Sequence, residues 1–224
     1  MAQFLQVDGP TEGVAWLTLD RPEKRNALST ALRDEISDAL DALAVDESVK
    51  CVAITGAGTT FCAGFDLGEF QNLDADFQRE LWASSDRYHH TVLCFPLPTI
   101  AAVNGPALAG GFDLAILCDI RIAAPTARFA HPEREFGDVV YAPLHDLVGG
   151  AVARELCLTG RPIEADEALR VGLVSRVVPA DELRDTVAAL AAQTATAPRD
   201  VLLRTKAKAL RRAGVDPSTG TLDL

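Results

Sequence analysis

The sequence is short of the features that mark several large classes of protein. Lys and Arg total 21 against 32 Asp and Glu, which gives a formal net charge of −11 and argues against non-specific binding of nucleic acid. We find no internal repeat and no nucleotide-phosphate motif. The first residues lack a basic region followed by an apolar block, so the sequence predicts no signal peptide and a cytoplasmic location.

Cysteine spacing fits neither a metal site nor a disulfide framework. The five cysteines are Cys51, Cys62, Cys94, Cys118 and Cys157. They are odd in number and several lie in apolar runs, which favours reduced thiols in the core of a cytosolic protein. The sequence therefore predicts no metal centre.

One uncharged stretch, 91–112, is long enough to cross a bilayer. Three prolines and the pair Asn104-Gly105 interrupt it, and such residues break a regular helix. We predict a buried strand, turn and helix there, and no contact with a membrane.

The chain of 224 residues, 48% of them hydrophobic, can bury the core of one domain. Short apolar runs alternate with segments of helical periodicity, which indicates an α/β fold. The predicted strands are 4–7, 14–19, 49–55, 100–103, 120–123 and 173–178, with a turn at 8–10. The predicted helices are 30–44, with Ser29 as N-cap, and 77–95, 112–118, 144–158, 164–171, 181–194 and 198–213.

The stretch 99–119 is the organising segment and reads as strand, glycine-rich turn and helix. Backbone N–H groups in the first turn of a helix lack partners within it, and the helix dipole favours negative charge there. A second strand leads into Ala63-Gly64-Phe65, with a helix predicted to start at Asp66. Two such loops could direct two N–H donors at one oxygen, as in an oxyanion hole. Tight packing of the glycines is the alternative.

Five stretches, in this order, resemble motifs of the crotonase, or enoyl-CoA hydratase/isomerase, superfamily. They are LDRPEKRNALS, FCAGFDL, AAVNGPALAGGFDLAILCD, ARFAHPEREFG and LTGRPIEADEALRVGLVSRVV. The resemblance implies a spiral of ββα units with a helical C-terminal part. We expect a core at 1–195, a helix at 196–213 and a tail at 214–224. The family's C-terminal trimerisation helices would be absent, although the resemblance still implies a homo-oligomer, a trimer or hexamer.

The same resemblance implies roles for single residues. The backbone N–H groups of Phe65 and Gly110 would form the oxyanion hole. Asp113 takes the position of one family acid, which is usually Glu in hydratases, and Glu133 takes the position of the other. The predicted CoA contacts are Arg25, Ala27, Ala63, Asp66 and Leu67.

Several of these assignments have structural alternatives. Asp113 could serve only the electrostatics of a helix N-terminus, and Glu133 could be a surface residue at a helix start. Asp138 matches a catalytic Asp of some family members in one alignment of a shortened loop, and is otherwise a turn residue. An adjacent His pair on a helix points in two directions, and of that pair His90 is the pocket candidate. The role of Tyr141 stays open.

The resemblance implies an acyl-CoA thioester enzyme that stabilises an enolate and needs no cofactor beyond the CoA of its substrate. With two acids facing the substrate, water can add across a 2,3-double bond, so we expect an enoyl-CoA hydratase. One competent acid would suffice for the first alternative, a 3,2-enoyl-CoA or dienoyl-CoA isomerase. The second alternative is a catalytically inactive acyl-CoA-binding protein.

Overall fold

The computed structural model describes residues 3–72, 74–135 and 137–218. Within these ranges nine strands and seven helices alternate. The strands are β1 (Leu5–Thr11), β2 (Val14–Leu19), β3 (Cys51–Gly56), β4 (Thr99–Val103), β5 (Ala107–Leu108), β6 (Ile120–Ala123), β7 (Arg128–Ala130), β8 (Ile163–Glu164) and β9 (Arg176–Val177). The helices are α1 (Thr30–Val45), α2 (Ala75–Cys94), α3 (Gly110–Leu117), α4 (Ala142–Thr159), α5 (Ala165–Arg170), α6 (Leu183–Ala195) and α7 (Arg199–Arg212).

The main sheet has six strands in the order β1-β2-β3-β4-β6-β9. Strands β1 and β2 are antiparallel, and every later pair in this sheet is parallel. Parallel neighbours require crossover connections, which place helices on the faces of the sheet. A second sheet of three short strands has the order β5-β7-β8.

Side chains of the main sheet alternate between two apolar layers, as the two-residue period of a strand requires. On β2 and β3, Leu17 and Ile54 belong to the large core cluster that also contains residues of α1 and α3. Their neighbours Trp16 and Ala53 point to the opposite face, where they join residues of α6 such as Val187. The sheet is therefore buried on both faces.

The predicted α/β class is confirmed, and so are strands 14–19 and 120–123. Ser29 caps α1 as predicted, since its side chain accepts a hydrogen bond from the N–H of Leu32. No helix of the described residues combines the length and apolar character needed to cross a membrane.

Two local predictions are wrong, and a third, the helix at 144–158, is confirmed but with a break. Residues 8–10 do not turn the chain but lie within β1, where the pairing register shifts between Asp8 and Thr11. The segment after Asp66 forms only a short 3-10 turn, Glu69–Gln71, before α2 begins at Ala75. Helix α4 is interrupted at Gly149, whose φ of 77° is not helical.

Strands β5, β7 and β8 were missed because two or three residues are too few for a local period. Of the predicted tail, the structure describes only residues up to 218, and the rest lies outside the described part. The division at residue 195 between core and C-terminal helix stays a prediction.

A partly buried ion pair ties the last helix to the main sheet. Lys206 of α7 places its Nζ 2.7 Å from both carboxylate oxygens of Asp119, just before β6. The carboxylate also accepts hydrogen bonds from the backbone and hydroxyl of Thr99, the first residue of β4. The side chain of Lys206 is 5% exposed and that of Asp119 is 30% exposed.

We expect Lys206→Met to lower the free energy of unfolding by about 2 kcal/mol, because it leaves a partly buried carboxylate without its cation. Urea unfolding followed by circular dichroism measures this. Lys208→Met is the matched control, since Lys208 is exposed on the same helix. Equal urea midpoints for the two variants would show that the ion pair adds nothing to stability.

Candidate active site

Two loops meet where the neighbouring parallel strands β3 and β4 end. The carboxyl ends of parallel strands share one edge of a sheet, and ligands commonly bind there. The N–H groups of Phe61 and Cys62 donate to the carbonyl of Pro106 at 3.1 and 3.2 Å, and Leu108 N–H donates to the carbonyl of Cys62 at 2.9 Å. The two loops are thus fixed to each other by backbone hydrogen bonds.

The start of α3 leaves the N–H groups of Gly110 and Gly111 without an acceptor in the described residues. Ala109, with φ 51° and ψ −130°, turns the chain into the helix. Its N–H donates to Ala130, while its carbonyl accepts from Phe112 and Asp113. The N–H of Gly110, between them, has no protein acceptor there.

The other loop also leaves an N–H group, that of Phe65, without a protein acceptor among the described residues. Leu28 donates to the carbonyl of Gly64 at 2.8 Å and accepts from the N–H of Asp66 at 3.2 Å. This parallel bridge turns the N–H of Phe65 away from Leu28. Phe65 and Gly110, the two residues expected to supply the oxyanion hole, therefore both have unused backbone donors.

Gly64 is the point of closest approach between the two loops. Its φ of +90° disfavours any other residue. A Cβ at this position would lie 2.7 Å from the Cβ of Ala109, 2.8 Å from the carbonyl oxygen of Leu108 and 3.3 Å from the nitrogen of Gly110. The two unused N–H groups are neighbours only because residue 64 has no side chain.

Two carboxylates and a histidine converge one helical turn after Gly110. Asp113 is 6% exposed on α3, and Glu133 is half-buried in the 3-10 turn Pro132–Glu135 that follows β7. His131 Nδ1 lies 2.8 Å from Glu133 Oε1 and 3.8 Å from Asp113 Oδ1. Asp113 Oδ1 and Glu133 Oε2 are both buried without a hydrogen-bond partner. Two unpartnered acceptors thus occupy one small region.

A second histidine approaches Asp113 from the opposite side. His89 of α2 places its Nε2 3.7 Å from Asp113 Oδ2, and its ring lies 6.0 Å from the ring of Phe65. The sequence interpretation favoured His90 of this pair as the pocket residue. The structure instead places His89 beside the acid, because adjacent residues on a helix point in different directions.

His131 was missed as a candidate, although it lies in the stretch ARFAHPEREFG. Its ring is buried and packs on Phe112, with ring centroids 4.6 Å apart. The available signal was its position two residues before Glu133, across Pro132. That spacing alone does not reveal a contact, since the local backbone decides whether the two side chains meet.

Asp113, His131 and Glu133 are also the residues that could hold a metal ion. Each offers one ligand atom, and these atoms lie within 4.8 Å of one another. One nitrogen and two carboxylate oxygens would suit zinc. However, His131 Nδ1 would have to give up its contact with Glu133 to act as a ligand, and the absence of a metal stays a prediction.

The predicted CoA contacts lie on two loops that touch. Ala63 N–H donates to the carbonyl of Arg25 at 3.0 Å, and the side chain of Arg25 is exposed. Arg21 bonds the carbonyl of Ala27 at 2.6 Å and pairs with the carboxylate of Asp66 at 3.0 Å. The side chain of Asp66 is thus already engaged. The remaining predicted contact, Leu67, is 65% exposed.

The other two candidates lie outside the carboxylate cluster. Asp138 is exposed, and no hydrogen bond or ion pair joins it to a described residue. Tyr141 immediately precedes α4, and its ring lies 5.7 Å from that of His145. Within the described part of the chain, no hydrogen bond or ion pair joins either side chain to Asp113 or Glu133.

The buried side chain of Arg33 packs against the face of the Phe65 ring. The guanidinium carbon of Arg33 lies 4.5 Å from the centroid of the Phe65 ring, in a cation–π contact. The same group donates to the carbonyls of Leu28 and Leu81 and to the hydroxyl of Ser84. Burial lowers the pKa of Arg33, but a guanidinium remains charged in proteins. It therefore adds fixed positive potential near the two N–H donors.

Two other buried groups near the cluster remain protonated. Burial raises the pKa of Cys62 to about 12, and the thiol donates to the carbonyl of Asn26 at 3.1 Å. Burial also raises the pKa of Tyr88 well above its ordinary value. Neither group is available as a base at neutral pH, which leaves the carboxylates and histidines for proton transfer.

Comparison with known proteins agrees with this geometry. The sequence profile of the enoyl-CoA hydratase/isomerase family matches residues 9–221. A crotonyl-CoA hydratase of Syntrophomonas wolfei is 41% identical over 187 residues, which span 80% of this chain and 71% of the relative. A short-chain-enoyl-CoA hydratase of Clostridium acetobutylicum is 38% identical over 183 residues, which span 80% of this chain and 70% of the relative.

A solved structure is similar over almost the whole chain. The crystal structure of an enoyl-CoA hydratase from Bacillus anthracis superposes with a TM-score of 0.89 and 34% identity, covering 97% of this chain and 86% of that one. The sequence profile, the related sequences and the solved structure all indicate the same family. The chain therefore belongs to the enoyl-CoA hydratase/isomerase family.

Proposed function

We propose that this protein is an enoyl-CoA hydratase that adds water across the 2,3-double bond of a 2-enoyl-CoA thioester. The observation that carries the proposal is the pair of buried, unpartnered carboxylate oxygens, Asp113 Oδ1 and Glu133 Oε2. Asp113 follows Gly110 by one helical turn on α3, and Glu133 lies in the 3-10 turn after β7, joined to the same region through His131. The relatives named above as hydratases of crotonyl-CoA and short-chain enoyl-CoA support the same reaction.

The thioester carbonyl would accept hydrogen bonds from the N–H groups of Phe65 and Gly110. Neither N–H has a protein acceptor in the described residues, so both are free to bind an oxygen. Charge on that oxygen rises as the thioester becomes an enolate, and Gly110 begins α3, where the helix dipole favours negative charge. The donors would therefore bind the enolate more tightly than the substrate.

The two carboxylates would divide the proton transfers of hydration. One removes a proton from water, whose oxygen forms the bond to C3. The other supplies the proton that forms the new C–H bond at C2, so that one water is consumed and no electrons are lost or gained. The side chain of Asp113 is one methylene shorter than that of the Glu usual in the family. It still lies close to Glu133, because His131 Nδ1 is 3.8 Å from Asp113 Oδ1 and 2.8 Å from Glu133 Oε1.

The CoA moiety would bind along the two loops that carry residues 25–27 and 63–67. We expect contacts from Arg25, Ala27, Ala63 and Leu67, and from the backbone of Asp66. The reaction needs no cofactor beyond the CoA of the substrate.

We also propose that the protein forms a homo-oligomer, a trimer or hexamer. We further propose a cytoplasmic location, which the five free cysteines support.

We expect Glu133→Gln and Asp113→Asn each to lower kcat for hydration of crotonyl-CoA by at least about 100-fold, since acid–base groups typically contribute about 10²–10⁴. KM should change little, because the amides keep the size of the side chains. Loss of the conjugated enoyl absorbance follows the reaction.

Glu135→Gln is the matched control for these variants, because Glu135 is exposed in the same 3-10 turn as Glu133. Unchanged turnover in Glu133→Gln would remove that residue from the mechanism. If the unaltered protein binds crotonyl-CoA in calorimetry but does not hydrate it, hydration is contradicted, and conversion of a 3-enoyl-CoA then distinguishes isomerisation from another enolate reaction. Absence of both binding and turnover would favour another acyl group or an inactive site.

We expect Gly64→Ala to lower kcat by about 100-fold, the typical cost of one lost oxyanion donor. The added methyl group would meet Ala109 and the carbonyl of Leu108 at 2.7 and 2.8 Å and so push the two loops apart. Gly172→Ala is the control, because Gly172 has a similar φ of +82° and its nearest neighbour is 4.0 Å away. Equal activity of the two variants would contradict the oxyanion role of this contact.

A further inference from the structure

The side chain of Arg33 on α1 is the largest completely buried side chain in the described part of the protein. Its Nε donates a hydrogen bond to the hydroxyl of Ser84, and its Nη1 donates to the carbonyl of Leu28 at 2.9 Å. Its Nη2 donates to the hydroxyl of Thr30 and to the carbonyl of Leu81, each at 3.1 Å. Because the N–H groups of a guanidinium lie in its plane, these bonds leave its two faces free for stacking.

No carboxylate among the described residues forms an ion pair with this guanidinium. The hydroxyls of Thr30 and Ser84 stand between it and two acids, since Thr30 donates to Glu69 and Ser84 donates to Asp34. A buried charge without an ion pair is costly, and an apolar side chain often serves a core equally well. Most other buried residues of α1 are leucine or isoleucine, so packing alone does not account for an arginine here.

The ring of Phe65 covers one face of the guanidinium. The guanidinium carbon lies 4.5 Å from the centroid of this ring. The edge of the same ring lies against Gly110, since a Cβ built on that glycine would be 2.7 Å from Cδ1 and Cε1 of Phe65. The ring therefore lies between the guanidinium and the start of α3, and its position sets the separation of the two N–H donors.

Arg33 also contacts the residue that orients the backbone of Phe65. The N–H of Leu28 donates to the carbonyl of Gly64 at 2.8 Å, and its carbonyl accepts from the N–H of Asp66 at 3.2 Å. These two bonds hold the main chain on both sides of Phe65. The carbonyl that accepts from Asp66 is the one that accepts from Nη1 of Arg33.

We propose that Arg33 is a positioning residue that fixes the N–H of Phe65 relative to that of Gly110 and places a positive charge behind both donors. It acts through Phe65 and Leu28 and touches no reacting atom. Its charge has no carboxylate partner, so it favours the negative charge that develops on the thioester oxygen. The inference rests on the proposed function, and it goes beyond it by assigning part of the oxyanion stabilisation to a side chain in the core.

The first test is the kinetics of Arg33→Lys with crotonyl-CoA. Lysine keeps the charge, but its compact ammonium cannot make the same in-plane bonds and also cover the ring. We expect kcat to fall at least about 10-fold, because a displacement of about 1 Å can cost about 100-fold in rate. KM should change little, since the donors bind the enolate more tightly than the substrate.

Arg121→Lys is the matched control for a general loss of stability. Arg121 is also buried, and it donates hydrogen bonds to four backbone carbonyl groups at the end of α3 opposite Gly110 and beyond it. Its guanidinium has no contact with Phe65 among the described residues. Equal losses of kcat in the two lysine variants would contradict a specific role of Arg33.

The second test needs no turnover. Butyryl-CoA is a saturated thioester that cannot be hydrated, and carbon-13 at its carbonyl separates its infrared band from those of the protein. Hydrogen bonds and positive charge at a carbonyl oxygen weaken the C=O bond, so this band should move to lower frequency when butyryl-CoA binds to the unaltered protein. We expect a smaller shift in Arg33→Lys and the full shift in Arg121→Lys.

Phe65→Leu provides the same measurement if Arg33→Lys does not fold. This variant keeps the N–H of residue 65 but removes the ring that Arg33 contacts. We expect the band shift and kcat to fall in Phe65→Leu as well. If both stay unchanged, the ring transmits nothing from Arg33 and the inference is wrong.

The infrared experiment separates failure of this inference from failure of the proposed function. The full band shift in a folded Arg33→Lys protein would overturn the role of Arg33 and leave the oxyanion hole intact. Butyryl-CoA that binds to the unaltered protein without a band shift, or does not bind at all, would contradict the proposed function itself and the inference with it.

Discussion

The contact between two strand-end loops at Gly64 is the constraint on which the rest of the site depends. A side chain there would collide with Ala109 and the carbonyl of Leu108, so the loops could not meet. Their contact places the N–H of Phe65 near that of Gly110, where α3 begins. Because Asp113 follows one helical turn later, the same contact also sets the position of the acid relative to the proposed oxyanion donors.

The site contains buried polar atoms that have no hydrogen-bond partner, although most buried polar atoms in folded proteins have one. Burying a polar atom without a hydrogen bond costs about 1–3 kcal/mol, and Asp113, Glu133, His89 and His131 each contain one such atom. The two apolar layers on either side of the main sheet offset this cost. What the protein gains is a set of acceptors and donors already aimed at a reacting molecule, which need not first be freed from other partners.

The loop before α1 shows the opposite arrangement, in which a buried polar group is fully used. Asn26 is completely buried, donates to the carbonyls of Ala57 and Thr60, and accepts from the N–H of Arg21. Arg21 in turn pairs with Asp66. These bonds join the two loops on which the CoA contacts are predicted. The buried side chain of Asn26 is thus fully hydrogen-bonded, while the carboxylates of the site each keep an oxygen without a partner.

The sequence by itself determined the features that depend on local rules: the Ser29 cap, the strand at 14–19, the glycine-rich loops, and the motifs that contain Asp113 and Glu133. Only the tertiary structure decided that β5, β7 and β8 form, because strands of two or three residues exist through their pairing. It also decided that His89 rather than His90 faces Asp113, and that His131 bonds Glu133. Those side chains come from three separate segments, and local spacing carries no information about which of them meet.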